Sequence, residues 1–291
     1  MNITRLPACA STPGSKEESK LKVFVHDVSI CNGCYNCQIA CKDEHVVNDW
    51  TPYAKPQPET GQFWLKMTET VRGQVPRVKV AYVPLLCNHC GHAECMAACK
   101  VEGAIYRRED GLVIIDPVKC TGCKSCVDAC PYKAIYFNDD LNIAQKCTGC
   151  AHLLDSGFMK EPRCVDACPT LALKFMEESE AKAYIKKAEF VKPERAAKDK
   201  PRVYYLGLPK RFVAGTVYDP AEKEVVIGAN VTLTDNEAKR SYNAKTDDFG
   251  DFEFEGLPVS KFTLEITKGK KSKTLKVSTE QDTTLGDIPL K

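Results

Sequence analysis

Cys120-Thr121-Gly122-Cys123-Lys124-Ser125-Cys126-Val127-Asp128-Ala129-Cys130-Pro131 is the stretch on which the reading of this chain turns. Its spacing, C-x2-C-x2-C-x3-C-P, is that of a bacterial ferredoxin loop. A tight loop with a thiol at every third residue wraps three corners of a cubane cluster. The fourth cysteine, expected on the first turn of a following helix, points away and ligates the other cluster of a pair. Pro131 then ends the helix and turns the chain toward the next strand.

Outward from that stretch the run recurs. Cys31-x2-Cys34-x2-Cys37-x3-Cys41 repeats it unaltered. Cys87-x2-Cys90-x4-Cys95-x3-Cys99 and Cys147-x2-Cys150-x13-Cys164-x3-Cys168-Pro169 stretch its second interval. Sixteen of the 17 cysteines fall in these four groups, and none follows Cys168. Four groups of four predict four [4Fe–4S] clusters. Zinc and disulfides are the alternatives. Zinc sites favour isolated C-x2-C pairs over triplets with a fourth cysteine, and disulfides do not explain one spacing recurring four times. Thiols kept for metal also suggest an oxygen-poor or cytoplasmic setting for assembly.

The rest of the composition is ordinary: 291 residues, 43% hydrophobic, 27% charged, net charge +2. That excludes wholesale disorder and gives no strong field for nucleic acid or acidic lipid. No run of about 18 apolar residues exists to span a bilayer. Residues 1–21 read as a flexible lead-in without an apolar signal segment. Leu6-Pro7-Ala8-Cys9 faintly resembles a lipoprotein box, but too few residues precede Cys9, which reads as an unliganded thiol. The expected compartment is the cytoplasm, with export bound to a signal-bearing partner left open.

Residues 22–190 form the cluster domain. Short strands are expected at 22–28, 104–107, 112–115, 134–137 and 171–175, and a longer helix at 177–188 with Met176, Tyr184 and Ile185 available for packing. An insertion at 42–86 holds both tryptophans, Trp50 and Trp64, and two strand-like stretches at 63–70 and 77–83. It reads either as a docking element for a partner or as an elaborated loop with its own small core. Residues 191–211 read as a charged linker. From residue 212 to 291, alternation as in Val231/Leu233, Phe252/Phe254 and Phe262/Leu264/Ile266 predicts a six- or seven-stranded antiparallel β-sandwich. The fold class expected is α+β: tandem ferredoxin-like modules followed by that sandwich.

Residues 22–190 resemble the four-cluster, ferredoxin-like electron-transfer (beta) subunits of molybdopterin oxidoreductases, the dimethyl sulfoxide reductase superfamily. Beyond the four groups, the match is carried by Asp27-Val28-Ser29-Ile30-Cys31, Asp110-Gly111-Leu112-Val113 and Gln145-Lys146-Cys147-Thr148-Gly149-Cys150-Ala151-His152. The resemblance implies how the groups share ligands. One cluster takes Cys31, Cys34, Cys37 and Cys168, and its partner Cys147, Cys150, Cys164 and Cys41. The other pair takes Cys87, Cys90, Cys95 with Cys130, and Cys120, Cys123, Cys126 with Cys99. It also implies that the Cys31 cluster lies nearest a large catalytic subunit and the Cys120 cluster farthest from it. That partner would carry bis-molybdopterin guanine dinucleotide with Mo or W.

The tail pattern Gly215-x-Val217…Gly228-Ala229-x-Val231-x-Leu233…Thr246-Asp247-x-x-Gly250-x-Phe252-x-Phe254-x-x-Leu257-Pro258 resembles carboxypeptidase-regulatory, Cna-B-like and transthyretin-like domains. The resemblance implies docking or stabilisation more than ligand binding. Within the superfamily, the four-group module followed by this tail is similar, over nearly the whole chain from about residue 22, to transhydroxylase small subunits (pyrogallol–phloroglucinol) and related phenol-ring hydroxylases and dehydroxylases. Asp43-Glu44-His45, Tyr106-Arg107-Arg108-Glu109-Asp110-Gly111, Cys150-Ala151-His152-Leu153-Leu154-Asp155 and Lys200-Pro201-Arg202-Val203-Tyr204-Tyr205 carry that likeness. The departure is informative. The third group is degenerate in the transhydroxylase branch and complete here, which implies an outermost cluster and net electron flow.

His89, His92 and His152 adjoin the groups as possible hydrogen-bond partners of the clusters, since four cysteines per group make a histidine ligand unnecessary. Lys42, Lys100, Lys119, Lys124 and Lys146 either offset cluster charge or are simply solvated. No nucleophile elbow, phosphate loop or HExxH appears, so the chain is read as a non-catalytic electron-transfer subunit. The expected function is transfer between a large molybdopterin subunit, in a heterodimer or a multiple of it, and an external donor or acceptor, for reductive dehydroxylation or hydroxylation of phenolic compounds. The alternatives are a transhydroxylase small subunit without net redox change, a subunit of another reductase of the superfamily, and a free-standing ferredoxin carrier.

Overall fold

The structure is a computed structural model that describes residues 20–291. Cys9 and the lead-in before residue 20 lie outside the described residues. The cluster domain runs β1 (Lys22–Asp27), α1 (Asn36–Val46), β2 (Leu65–Gln74), β3 (Arg77–Leu86), α2 (Glu94–Ala98), β4 (Ile105–Arg107), β5 (Val113–Ile115) and α3 (Ser125–Ala129). It continues through β6 (Tyr136–Asn138), β7 (Ile143–Gln145), α4 (Ala151–Ser156), α5 (Arg163–Asp166), β8 (Leu173–Glu177), α6 (Lys182–Ile185), α7 (Pro193–Asp199) and β9 (Val203–Leu206). Val23, Phe24 and Val25 are buried in succession. Such a run belongs to a strand covered on both faces. β1 is accordingly the centre of a three-stranded sheet, antiparallel to β8 and parallel to β9. The remaining strands of this part form the hairpins β2–β3, β4–β5 and β6–β7.

Three expectations need correction. Residues 191–211 are not a bare linker, because α7 and β9 lie within them and β9 completes the β1 sheet. Pro193 sits at the start of α7, where its missing N–H costs nothing, so the prolines and charges that suggested a linker instead punctuate a helix. Residues 177–188 are not one helix: β8 runs through Glu177 and only Lys182–Ile185 is helical. Met176, Tyr184 and Ile185 nevertheless pack against Val23, Val25 and Tyr204. Residues 42–46 belong to α1 rather than to the insertion.

The C-terminal part contains β10 (Phe212–Asp219), β11 (Glu224–Val225), β12 (Asn230–Asp235), β13 (Ser241–Lys245), β14 (Asp251–Glu255), β15 (Lys261–Lys268), β16 (Lys271–Ser278) and β17 (Thr283–Pro289). They make two four-stranded sheets, β11-β10-β14 with β17 on β10, and β13-β12-β15-β16. Val213, Val231, Leu233, Phe262, Leu264 and Ile266 meet between them at 1% exposure or less. Among the pairs formed here only β10–β17 is parallel. Neither β11 nor β17 stands out in the sequence. β11 has two residues, and Gly286 and Pro289 break the pattern of β17.

Candidate iron–sulfur centres

Each cysteine group begins in a loop that needs a left-handed residue. Gly33, Gly122 and Gly149 precede the second cysteine of their groups with φ +67°, +73° and +64°. A Cβ at Gly122 would lie 2.5 Å from the Asn142 carbonyl oxygen, so only glycine fits there. His89 takes the same place in the second group with φ +43°. The third cysteine is the second residue of a helix in each group; in the second and third groups the fourth closes that helix, whereas Cys41 lies within α1. Cys126 lies in α3 with Cys130 as its C-cap, and Cys95 lies in α2 with Cys99 as its C-cap. This corrects the expectation that the fourth cysteine sits on a first turn. One turn of helix, about 5 Å of rise, separates the two thiols enough to serve different centres.

α1 packs on α5 and α2 on α3. The sixteen thiols, all free of disulfides, meet in four sets. Cys168 comes against Cys31, Cys34 and Cys37. Cys41 meets Cys147, Cys150 and Cys164. Cys130 joins Cys87, Cys90 and Cys95. Cys99 joins Cys120, Cys123 and Cys126. The last two sets each ring a small cavity of ≈ 20 Å³. A ring of four thiols around a cavity suits a cluster better than a single tetrahedral ion.

Backbone N–H groups point at the sulfurs. Gly149 N lies 3.4 Å from Cys147 Sγ, Ala144 N 3.4 Å from Cys120 Sγ, His89 N 3.5 Å from Cys87 Sγ and Leu173 N 3.5 Å from Cys168 Sγ. Burial pushes the free thiols of Cys37 and Cys95 up to about 12 and those of Cys126 and Cys147 up to about 11, with neighbouring thiols adding to it. Cys123, at the surface, is instead lowered by its hydrogen bonds to Ser125. Metal binding exchanges the thiol proton for a cation, so buried thiol rings with inward N–H donors fit iron–sulfur ligation.

Electrostatic interactions between thiols of different sets order them. Cys37 acts on Cys41 and Cys164, Cys87 on Cys147, and Cys126 on Cys95. The line therefore runs from the Cys31 set through the Cys41 and Cys87 sets to the Cys99 set. Its two ends reach the surface at Cys34 and Cys123, both exposed.

The other expected residues part company. His89 is 1% exposed, lines the cavity ringed by the Cys87 set, and its Nδ1 accepts from Val113 N at 3.0 Å. His92 is exposed, with Nδ1 3.1 Å from Lys198 O. His152 stacks on Trp50 and reaches Glu44 Oε1 at 2.9 Å. Lys146 is buried, whereas Lys100, Lys119 and Lys124 are exposed and Lys42 is tied to Pro58 and Gln62 carbonyls. Trp64 is a core residue at 2% exposure.

Sequence reasoning missed His45 as a neighbour of the centres. Its Nε2 lies 4.0 Å from Cys150 Sγ and its ring 4.6 Å from that of Trp64. Burial, helped by His152, lowers its pKa to about 3, so it stays neutral. Asp43-Glu44-His45 was visible as a motif, but nothing local links it to Cys150.

Models of known families match where these features lie: a 4Fe-4S binding domain at residues 29–48, a 4Fe-4S dicluster domain at 78–178, and a carboxypeptidase regulatory-like domain at 213–291. Fold and centres thus define an iron–sulfur electron-transfer protein with an appended β-sandwich. The chain is 38% identical over 278 residues to the pyrogallol hydroxytransferase small subunit of Pelobacter acidigallici, covering 92% of this chain and 98% of that one. It is 32% identical over 195 residues to a tetrathionate reductase subunit of Salmonella typhimurium, covering 64% and 72%. It is 39% identical over 115 residues to the arsenate respiratory reductase iron-sulfur subunit of a Shewanella strain, covering 40% and 44%. The chain belongs to the family of electron-transfer iron–sulfur subunits of molybdopterin oxidoreductases. Among the described residues no helix is long and apolar enough to cross a membrane.

Proposed function

We propose that this chain conducts electrons through four [4Fe–4S] clusters between the Mo or W site of a large catalytic subunit and an external redox partner, in the reductive dehydroxylation or hydroxylation of phenolic rings. The observation that carries this reading is the complete outer ring of Cys99, Cys120, Cys123 and Cys126 around its own cavity. A reaction without net redox change has no use for an outer carrier that opens to solvent at Cys123. When bound, the clusters supply one-electron carriers whose potentials follow from hydrogen bonding and burial. The chain's own part is to hold them in line, to aim N–H donors at their ligands, and to keep water from the two inner sets. The cytoplasm is the working compartment, in keeping with cluster assembly.

Similarity to a pyrogallol hydroxytransferase small subunit over nearly the whole chain favours a second reading, transhydroxylation without net electron flow. Anaerobic purification of the native complex and measurement of Fe, Mo, W and Zn per copy of this chain separates the two. About sixteen Fe on this chain, four per cluster, supports the four-cluster wire. About twelve leaves one ring empty and moves the transhydroxylase reading to first place. Iron without Mo or W and without a second chain leaves a free ferredoxin carrier.

A further inference from the structure

His89 stands where the other three cysteine loops carry glycine. Gly33, Gly122 and Gly149 each precede the second cysteine of their group in the left-handed region, and His89 does so with φ +43°. A residue with a β-carbon is disfavoured there. The loop is held to that shape from outside. Arg202 N donates to Asn88 O at 2.9 Å, Gly91 N to Lys200 O at 2.7 Å and His92 N to Asp199 O at 2.9 Å. A strained backbone that its surroundings enforce points toward function.

The ring is fixed as firmly as the backbone. Its Nδ1 accepts from Val113 N at 3.0 Å, and its face lies along Phe24 of β1, with centroids 6.2 Å apart and planes 19° from parallel. A ring nitrogen that accepts carries no proton, so the proton of this imidazole sits on Nε2. Nε2 is buried, and no group among the described residues accepts its hydrogen bond. Buried donors rarely lack an acceptor. His89 lines the cavity ringed by Cys87, Cys90, Cys95 and Cys130. The unpaired donor thus belongs to the wall of a thiol-lined cavity.

We infer that His89 Nε2–H donates a hydrogen bond to a sulfur of the [4Fe–4S] cluster held by Cys87, Cys90, Cys95 and Cys130, and so raises that cluster's potential above the value its ligands alone would give. The inference rests on the cluster reading above. Its reason is electrostatic. The reduced cluster carries one more negative charge, and a donor fixed against its sulfur favours that state over the oxidised one. Glycine in the other three loops offers no such side chain. Cys87 acts on Cys147 of the neighbouring set, so the Cys87 set lies where the two cluster pairs meet. His89 therefore governs the height of the step by which electrons cross from one pair to the other.

The test uses the anaerobically purified complex, produced with histidine carrying 15N in the ring, and pulsed EPR of its reduced clusters. Wild type is expected to show a histidine-nitrogen coupling that is absent from His89→Phe. That variant keeps a ring but has no donor. It is expected to shift the one-electron equilibrium of the same cluster at least about tenfold toward the oxidised state, a midpoint about 60 mV lower. His89→Gln keeps one acceptor and one donor; it loses the coupling and holds the midpoint far nearer wild type. Iron per chain stays at the wild-type level in both. Absence of any histidine coupling in wild type, identical couplings in wild type and both variants, or an unmoved midpoint in iron-replete His89→Phe overturns the inference. A histidine that only packs would give one of these results. Should His89→Phe lose iron, His89→Gln decides through the coupling alone. A wild-type complex without [4Fe–4S] signals overturns the cluster reading itself, a result distinct from clusters that are present but uncoupled.

Discussion

The ammonium of Lys146 donates a hydrogen bond to the carbonyl oxygen of Val113, and a second at 3.0 Å to that of Cys147. Lys146 is 2% exposed, and no carboxylate pairs with it among the described residues. An unpaired buried charge costs several kcal/mol. The groups able to offset it are the thiolates and clusters on either side, since Lys146 acts on both Cys147 and Cys95. A fixed cation there favours the reduced state of both inner centres. Lys146→Met is expected to lower the midpoint of an inner cluster by about 60 mV or more, the one-electron equivalent of tenfold, while Lys146→Arg shifts it far less. Potentiometric EPR on the iron-replete complex reads this. Unchanged midpoints in Lys146→Met at full iron content would reduce Lys146 to a packing residue.

The outer ring is separable from the others. Cys123→Ala is expected to remove about four Fe per chain and to stop exchange with external carriers while the large subunit stays in place. Gly122→Ala should produce the same deficit, because its φ of +73° and the Asn142 carbonyl 2.5 Å from the new Cβ prevent the loop from closing. Iron analysis and stopped-flow oxidation of the reduced complex check both. Full iron in Cys123→Ala would show that Cys123 is not a ligand.

His26 makes the cluster domain acid-sensitive. It is 1% exposed, its Nδ1 has no hydrogen-bond partner among the described residues, and burial lowers its pKa to about 4, against a smaller opposing effect of Asp27. The folded value lies below the unfolded one of about 6.5, so the unfolded chain binds the proton first. Stability is full above about pH 6.5 and is lost as pH falls toward 4. The loss amounts to about 3 kcal/mol at most. His26→Leu should flatten this part of a thermal-midpoint profile; a slope identical to wild type would place the acid sensitivity elsewhere.

The sandwich carries its own core. Leu264 is fully buried between the sheets, and Leu264→Ala is expected to cost about 3 kcal/mol. Differential scanning calorimetry should show the sandwich's transition move down with iron content unchanged. Iron lost in parallel would mean that the two parts unfold as one.

The sequence alone determined the local chemistry. The four cysteine runs, the glycines at their left-handed positions, and alternations such as Val231/Leu233 and Phe262/Leu264/Ile266 are short-range patterns set by backbone sterics and side-chain period. They are legible wherever neighbours along the chain are also neighbours in space. Tertiary structure alone decided the rest. It brought Val203–Leu206 beside β1, laid β17 parallel to β10, put His45 against Cys150 and Lys146 between two thiol sets, and turned Arg72, Arg77 and Lys79 onto the sandwich. Each of these partners is distant in sequence, and no local period encodes it. The pairing is chosen by which arrangement buries the apolar faces together and leaves the fewest charges and hydrogen-bonding groups without a partner.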